Sequence, residues 1–121
     1  MVIIKGNVWT LEGPVDVEKL KVGDLVLDRK PSVREILDIE LVDVDEALMF
    51  ENNSFAVSSD TLVYTAFGAK RIVEKTAILA RREDMSLTPV TAYLAEVKAK
   101  GYKLTIKDGS DLFVNGYSMQ L

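Results

Sequence analysis

Hydroxyl and carboxyl groups gather in one short stretch of this chain, Ser58-Ser59-Asp60-Thr61. Such a cluster can hydrogen-bond around a peptide bond, or supply an alkoxide nucleophile if a base stands beside it. The usual base is missing, because the chain has no histidine. That also removes the usual zinc ligand. There is no cysteine, hence no disulfide, no thiolate nucleophile and no thiolate metal site. A second set of candidates is acidic. From Glu35 to Glu51 there are seven Asp or Glu and no Lys or Arg. Asp43 and Asp45, joined by Asp24 and Asp60, are of the type that holds Mg2+ or Ca2+. Those acids alternate with apolar residues, which marks the solvated face of a strand. No metal and no cofactor are expected.

The polar stretch needs elements to position it. Phe55-Ala56-Val57 and Leu62 to Thr65 read as strands on either side of a polar corner, and Phe67 to Lys70 as a glycine turn. Arg71 to Glu74 and Thr76 to Ala80 are further apolar runs. Lys70, Arg71, Lys75, Arg81 and Arg82 form a local basic patch without an aromatic ladder, so it reads as surface.

Upstream, Val2 to Ile4 and Val8 to Leu11 are short β runs, and Glu12-Gly13-Pro14 is a tight turn. Val15 and Val17 read as a half-buried strand. Gly23-Asp24 forms a corner, with the Asp24 side chain free to bond nearby amides, before a Leu25 to Leu27 strand that stops ahead of Pro31. Val33 to Asp45 is the longest β-like segment. Its alternation changes phase at Leu41-Val42, which predicts a bulge or bend there. Ala47 to Phe50 is another strand, and Glu51 to Ser54 its turn.

Downstream, Thr88 as N-cap, Pro89 in the first turn, Val90, Tyr93, Leu94 and Val97 on one face, and Gly101 as the stop predict a helix near 89–100. Tyr102 to Ile106, Asp111 to Val114 and Tyr117 to Leu121 are strands, with Asp108-Gly109 and Asn115-Gly116 as hairpin signals. No internal repeat is visible. The whole is one domain, 1–121, mainly β with one helix and about ten short strands, as in a sandwich, a barrel or a folded-over ribbon.

Bulk properties narrow the function. The chain has 121 residues, 48% hydrophobic and 28% charged, with a formal net charge of -4. That is one domain with an ordinary soluble balance. The acidic balance argues against chain-wide binding to nucleic acid or a membrane surface. The apolar run Val2-Ile3-Ile4 is too short for a signal peptide or a membrane span. A cytoplasmic protein, or one in a virion or host cytoplasm, is the expectation.

Three motifs carry a family resemblance. Thr10 to Val26, with Gly13-Pro14-Val15 and Leu20-Lys21-Val22-Gly23-Asp24, resembles an opening "G-P-V-x-I-E-x-L-K-V-G-D-x-V". Phe55 to Lys70 is similar to "F-x-V-T-x-D-H-x-V-Y-T-x-x-G-x-K". Leu112 to Leu121 looks like the closing "F-F-V-x-N-G-x-x-V-H-N". Together they cover about half the chain and resemble the Hint superfamily of inteins and hedgehog autoprocessing domains. The resemblance implies an all-β horseshoe of interlocked, twisted hairpins that brings the chain ends to its centre.

In that family a leading Cys or Ser attacks the preceding carbonyl, a Thr and a His polarise the scissile amide, and a terminal His-Asn pair cuts the other end. Carried over, the nucleophile falls near Val2 to Ile4, all aliphatic. The threonine falls at Ser58 and the middle histidine at Thr61. The last pair falls at Gln120 and Leu121, while Asn115 is only the hairpin asparagine. No catalytic residue is therefore expected. Ser58, Asp60, Thr61, Gln120 and Leu121 are the remnant positions. The expected role is a silent structural or protein-interaction domain. Another protein or a larger assembly is its expected partner, and a viral or mobile-element setting its expected context. Residual self-cleavage is the alternative.

Overall fold

The computed structural model describes residues 1–30, 32–72 and 76–121, with the side chains of 76–78 outside that description. Among the described residues, twelve strands join into one sheet. In chain order they are β1 (Ile3–Lys5), β2 (Asn7–Thr10), β3 (Gly13–Asp16), β4 (Leu25–Leu27), β5 (Val33–Phe50), β6 (Phe55–Ser58), β7 (Leu62–Thr65), β8 (Gly68–Arg71), β9 (Thr76–Arg81), β10 (Leu87–Ile106), β11 (Asp111–Val114) and β12 (Tyr117–Gln120). The expectations for Pro31 and for the run through 73–75, including Glu74 and Lys75, fall outside the described residues.

Two long strands form the spine. β5 has 18 residues and β10 has 20, and they pair antiparallel from Phe50–Ala92 to Ile36–Ile106. A ladder that long satisfies the backbone of both strands without a helix. β1 lies antiparallel between β6 and β10. β12 bridges β11 and β7, and β11 also meets β2 at Val114–Val8. The core draws on both ends and the middle: Ile3, Val8, Val57, Leu112 and Met119 are all buried. Phe50 stacks on Phe55 at 4.6 Å between ring centroids, and Phe55 on Tyr117 at 5.7 Å.

The helix expected near 89–100 is a strand. Its apolar residues follow period two once one slip is allowed. Val90 and Ala92 are buried and Leu94 is half-buried; after Val97-Lys98, Ala99 is half-buried and Gly101 buried. The slip is a bulge, where the β5 partners pass from Glu96–Glu46 to Ala99–Val44. A one-residue insertion into an alternating pattern imitates i, i+3, i+4, i+7 spacing, and the facing strand decides the outcome. Gly101 is therefore mid-strand. A Cβ there would stand 2.5 Å from Val2 Cγ1 and 3.2 Å from the Ile3 carbonyl.

Three further expectations change. Leu41–Tyr102 and Val42–Gly101 pair in unbroken register, and the irregularity in β5 lies instead between Ile36 and Asp38. Leu37 and Leu41 are exposed, so their alternation marked the outer face. Asp108-Gly109 makes a turn, but β11 pairs with β12 and β2 rather than folding back on β10. β3 stops at Asp16, whose carboxylate caps a 3-10 turn at Val17–Lys19 through the Glu18 N–H at 2.9 Å. The Asn115-Gly116 hairpin does form, both residues having positive φ. The Gly23-Asp24 corner forms too, with Asp24 Oδ2 accepting the Lys21 N–H at 2.9 Å.

The backbone also contains a repeat that the sequence hides. Thr10 pairs with Val26 as Thr65 pairs with Ala80. Leu27–Val33 is matched by Arg81–Leu87. Thr10 Oγ1 donates to the Gly13 carbonyl at 2.7 Å, and Thr65 Oγ1 to the Gly68 carbonyl at 2.8 Å. The Asp28 N–H meets the Ser32 carbonyl at 3.0 Å, and the Arg82 N–H meets the Ser86 carbonyl at 2.9 Å. The correspondence holds at near-constant spacing, and the two halves join through β1–β6, β1–β10, β5–β6 and β5–β10. Few side chains repeat with the hydrogen bonds, so no sequence period survives.

Candidate functional site

The polar corner sits where β1 meets the end of β6. Pairing of Ile3 with Val57 sets Val2 beside Ser58. Ser58 then holds both polar groups of Val2. Its Oγ accepts the Val2 N–H at 2.9 Å, and its own N–H donates to the Val2 carbonyl at 2.8 Å. The Ser58 hydroxyl donates to Asp60 Oδ1 at 2.6 Å, and Thr61 Oγ1 lies 3.3 Å away. Ser58 and Thr61 are buried while Asp60 is exposed. Two backbone bonds shape the turn: Thr61 N–H to the Ser58 carbonyl at 3.1 Å, and Ser59 N–H to the Glu46 carbonyl at 3.0 Å.

The Ser58 hydroxyl holds the Asp60 carboxyl below the usual carboxylate range, against an opposing effect of burial, with help from the Met1 ammonium and Arg71. Asp60 is thus an ionised acceptor at neutral pH. That fixes the proton order: the Ser58 proton points to Asp60, and the serine oxygen receives the amide hydrogen. The corner can orient the Met1–Val2 amide. Protonating its nitrogen needs a donor aimed at that atom, and the Ser58 proton is already committed.

Gln120 and Leu121 lie at the open end of the β11–β12 hairpin. Gln120 pairs with Asp111, and the Leu121 N–H donates to the Ser110 carbonyl at 3.0 Å. The side chain of Leu121 packs against the core. The β12–β7 register, Met119 opposite Val63, runs Leu121 toward the level of Thr61. The structure therefore clusters Val2, Ser58, Asp60 and Thr61, and leaves Gln120 and Leu121 tied to β11. Asn115 does more than turn: its Oδ1 accepts the Asn7 N–H at 2.7 Å and its N–H meets the Asn7 carbonyl at 2.8 Å.

Asp24, Asp43, Asp45 and Asp60 do not converge, and among the described residues no group of three or more carboxylates is placed to hold a metal ion. Asp43 instead meets Lys100 Nζ at 2.7 Å on the surface. A second polar cluster, which the sequence reading missed, joins a local turn to a distant strand. Asp28 is buried, accepts the Lys30 and Ser32 N–H groups at 3.0 and 2.7 Å, and pairs with Arg34 Nε at 3.3 Å. Buried Asp111 accepts the Arg29 N–H at 2.9 Å, while the Arg29 guanidinium lies 4.0 Å from the Tyr64 ring centroid.

Solved structures share this arrangement of strands. The gp41-1 intein matches at a TM-score of 0.75 with 17% identity, over 99% of this chain and 97% of that one. This is the Hint fold. A bacterial intein-like domain from Clostridium thermocellum gives a TM-score of 0.80 at 17% identity, over 99% and 98% of the two chains. A DnaB intein from Synechocystis sp. PCC 6803 gives 0.67 at 12% identity, over 99% and 98%. No protein-family model and no curated protein matches the sequence. In this sheet β1 runs through the middle, between β10 and β6, which is how it comes to lie against Ser58.

Proposed function

We propose that this chain is a Hint-fold domain that does not splice or cleave itself and serves as a structural or protein-interaction module. One observation carries the reading. The amide clamped by Ser58 is followed by Val2, whose aliphatic side chain has no atom to attack the preceding carbonyl. An N–S or N–O shift needs a thiolate or alkoxide at that residue, and positioning alone does not replace a missing nucleophile. Thr61 has no titratable group for neutral-pH acid–base work, and Leu121 has no side-chain amide to cyclise.

Residual cleavage has one observation in its favour: Ser58 still holds a peptide amide, with Asp60 and Thr61 against its hydroxyl. Intact-mass spectrometry of the chain carrying short extensions at both ends separates the readings. The expected result is an unchanged mass after days at neutral pH, with and without hydroxylamine or a thiol. Loss of either extension overturns the proposal. No described helix is long and apolar enough to cross a membrane. The cytoplasm, of a cell or of a virus-infected host, is the compartment we infer from a composition without cysteine.

A further inference from the structure

The two equivalent hairpin tips differ in charge. The β2–β3 tip carries Leu11 and Glu12, and the β7–β8 tip carries Ala66 and Phe67. Leu11 bonds the Leu25 carbonyl through its N–H at 3.0 Å, as Ala66 bonds that of Leu79 at 3.1 Å. Framework and backbone are alike, so the side chains alone distinguish the tips. Beside the first is a groove of about 250 Å3, with Leu11, Val15 and Leu25 as apolar wall and Glu12 and Asp24 as its carboxylates. Leu11 is 59% exposed and Leu25 40%. The second tip is of another kind. It presents Phe67, 85% exposed, on a hairpin whose next strand ends in exposed Lys70 and Arg71.

We propose that the Phe67 tip of one copy docks into the Leu11–Leu25 groove of a second copy, head to tail. Size and charge both favour this occupant. A cavity of about 150 Å3 accepts a benzene ring, and the groove is larger. Lys70 and Arg71 follow Phe67 at the same steps at which Val15 and Asp16 follow Glu12 in the other tip. The finger thus brings cations to a groove rimmed by carboxylates. One Asp24 oxygen already accepts the Lys21 N–H, which leaves Glu12 as the main partner for Lys70. Finger and groove are different surfaces on one chain, so the contact is heterologous and extends into chains or closes as a ring. An aromatic side chain buries only about 150–250 Å2, far below a standard interface. The association is weak, rises with concentration and falls in salt.

Sedimentation velocity from about 10 µM to about 1 mM, a range that brackets weak association, tests this with the full chain. Two variants of exposed residues, Phe67→Ser and Glu12→Lys, remove the finger and the groove charge in turn. Circular dichroism confirms that each remains folded. The expected result is a wild-type average mass that climbs with concentration, and variants that stay monomeric alone. Mixed in equal amounts they form a dimer and go no further, because the intact groove of one meets the intact finger of the other. A wild type that stays monomeric across the range overturns the proposal. So does a variant that associates like wild type, or a mixture that shows no recovery.

Discussion

Ser58 is the residue on which the centre of the molecule depends. It holds the Val2 N–H and carbonyl and gives its own proton to Asp60. Ser58→Ala leaves the Val2 N–H without its partner in a half-buried place, which costs about 1–3 kcal/mol. Urea unfolding should show that loss, with faster hydrogen exchange at the Val2 amide; an unchanged midpoint would mean water replaces the serine without cost. Asp28 is the second such residue. Burial alone would raise its pKa, but the Ser32 and Lys30 N–H groups and Arg34 together hold it below the ordinary value. A folded-state pKa below the unfolded one stabilises above the unfolded value, near 3.9. That stability is lost as pH falls through the folded pKa. Asp28→Asn should therefore cost about 1–3 kcal/mol at pH 7 through the broken Arg34 pair, and the gap from wild type should close as pH falls below that unfolded value. A gap that stays constant with pH would rule out the carboxylate charge as its source. The corner itself was legible in sequence, because Ser, Asp and Thr at a strand end specify a local turn. Its clamp on Val2 and the Asp111–Arg29 contact were not, since nothing local marks partners 56 and 82 residues apart.

At the scale of elements, short turns were read best and the long strands worst. Asn115-Gly116 and Gly23-Asp24 carry their own conformational requirements, Gly116 at φ 82 and Gly23 at φ 95. β10 carries no such mark. Its residues suit a helix locally, and only the facing β5 and the bulge at Val97-Lys98 make a strand of them. Gly101 separates the two conformations by what an added methyl meets. As the left-handed stop of a helix it would strain only its own backbone, at a cost of about 1 kcal/mol. In β10 an added methyl meets Val2 Cγ1 at 2.5 Å and crowds the Ile3 carbonyl and Val44. Gly101→Ala should therefore destabilise the domain, by about 1–3 kcal/mol as overpacking does, and loosen the Val2 clamp at the same time. A gain in thermal midpoint would contradict the strand and its close approach to β1.

The molecule as a whole repeats its backbone without dividing into halves. Each half contributes one long strand, and those two pair with each other along most of their length. The β11–β12 hairpin touches β2 of the first half through Val114–Val8 and β7 of the second through Met119–Val63. The aromatic stack mixes the turn region and the last strand, Phe50 and Phe55 with Tyr117. No half has a core that the other does not complete. Such a sheet should unfold in one step, because losing β5–β10 pairing strips both halves at once. It should also refold slowly for its size, in milliseconds to seconds, since its key pairings close long loops. Trp9, the single tryptophan, lies in the first half on β2. Far-UV circular dichroism reports on strands throughout. Urea midpoints from Trp9 fluorescence and from circular dichroism should coincide, and hydrogen exchange in β9–β10 should yield the same free energy. An early Trp9 transition would mean that the first half melts alone, and the two-fold framework would then be two foldable units rather than one.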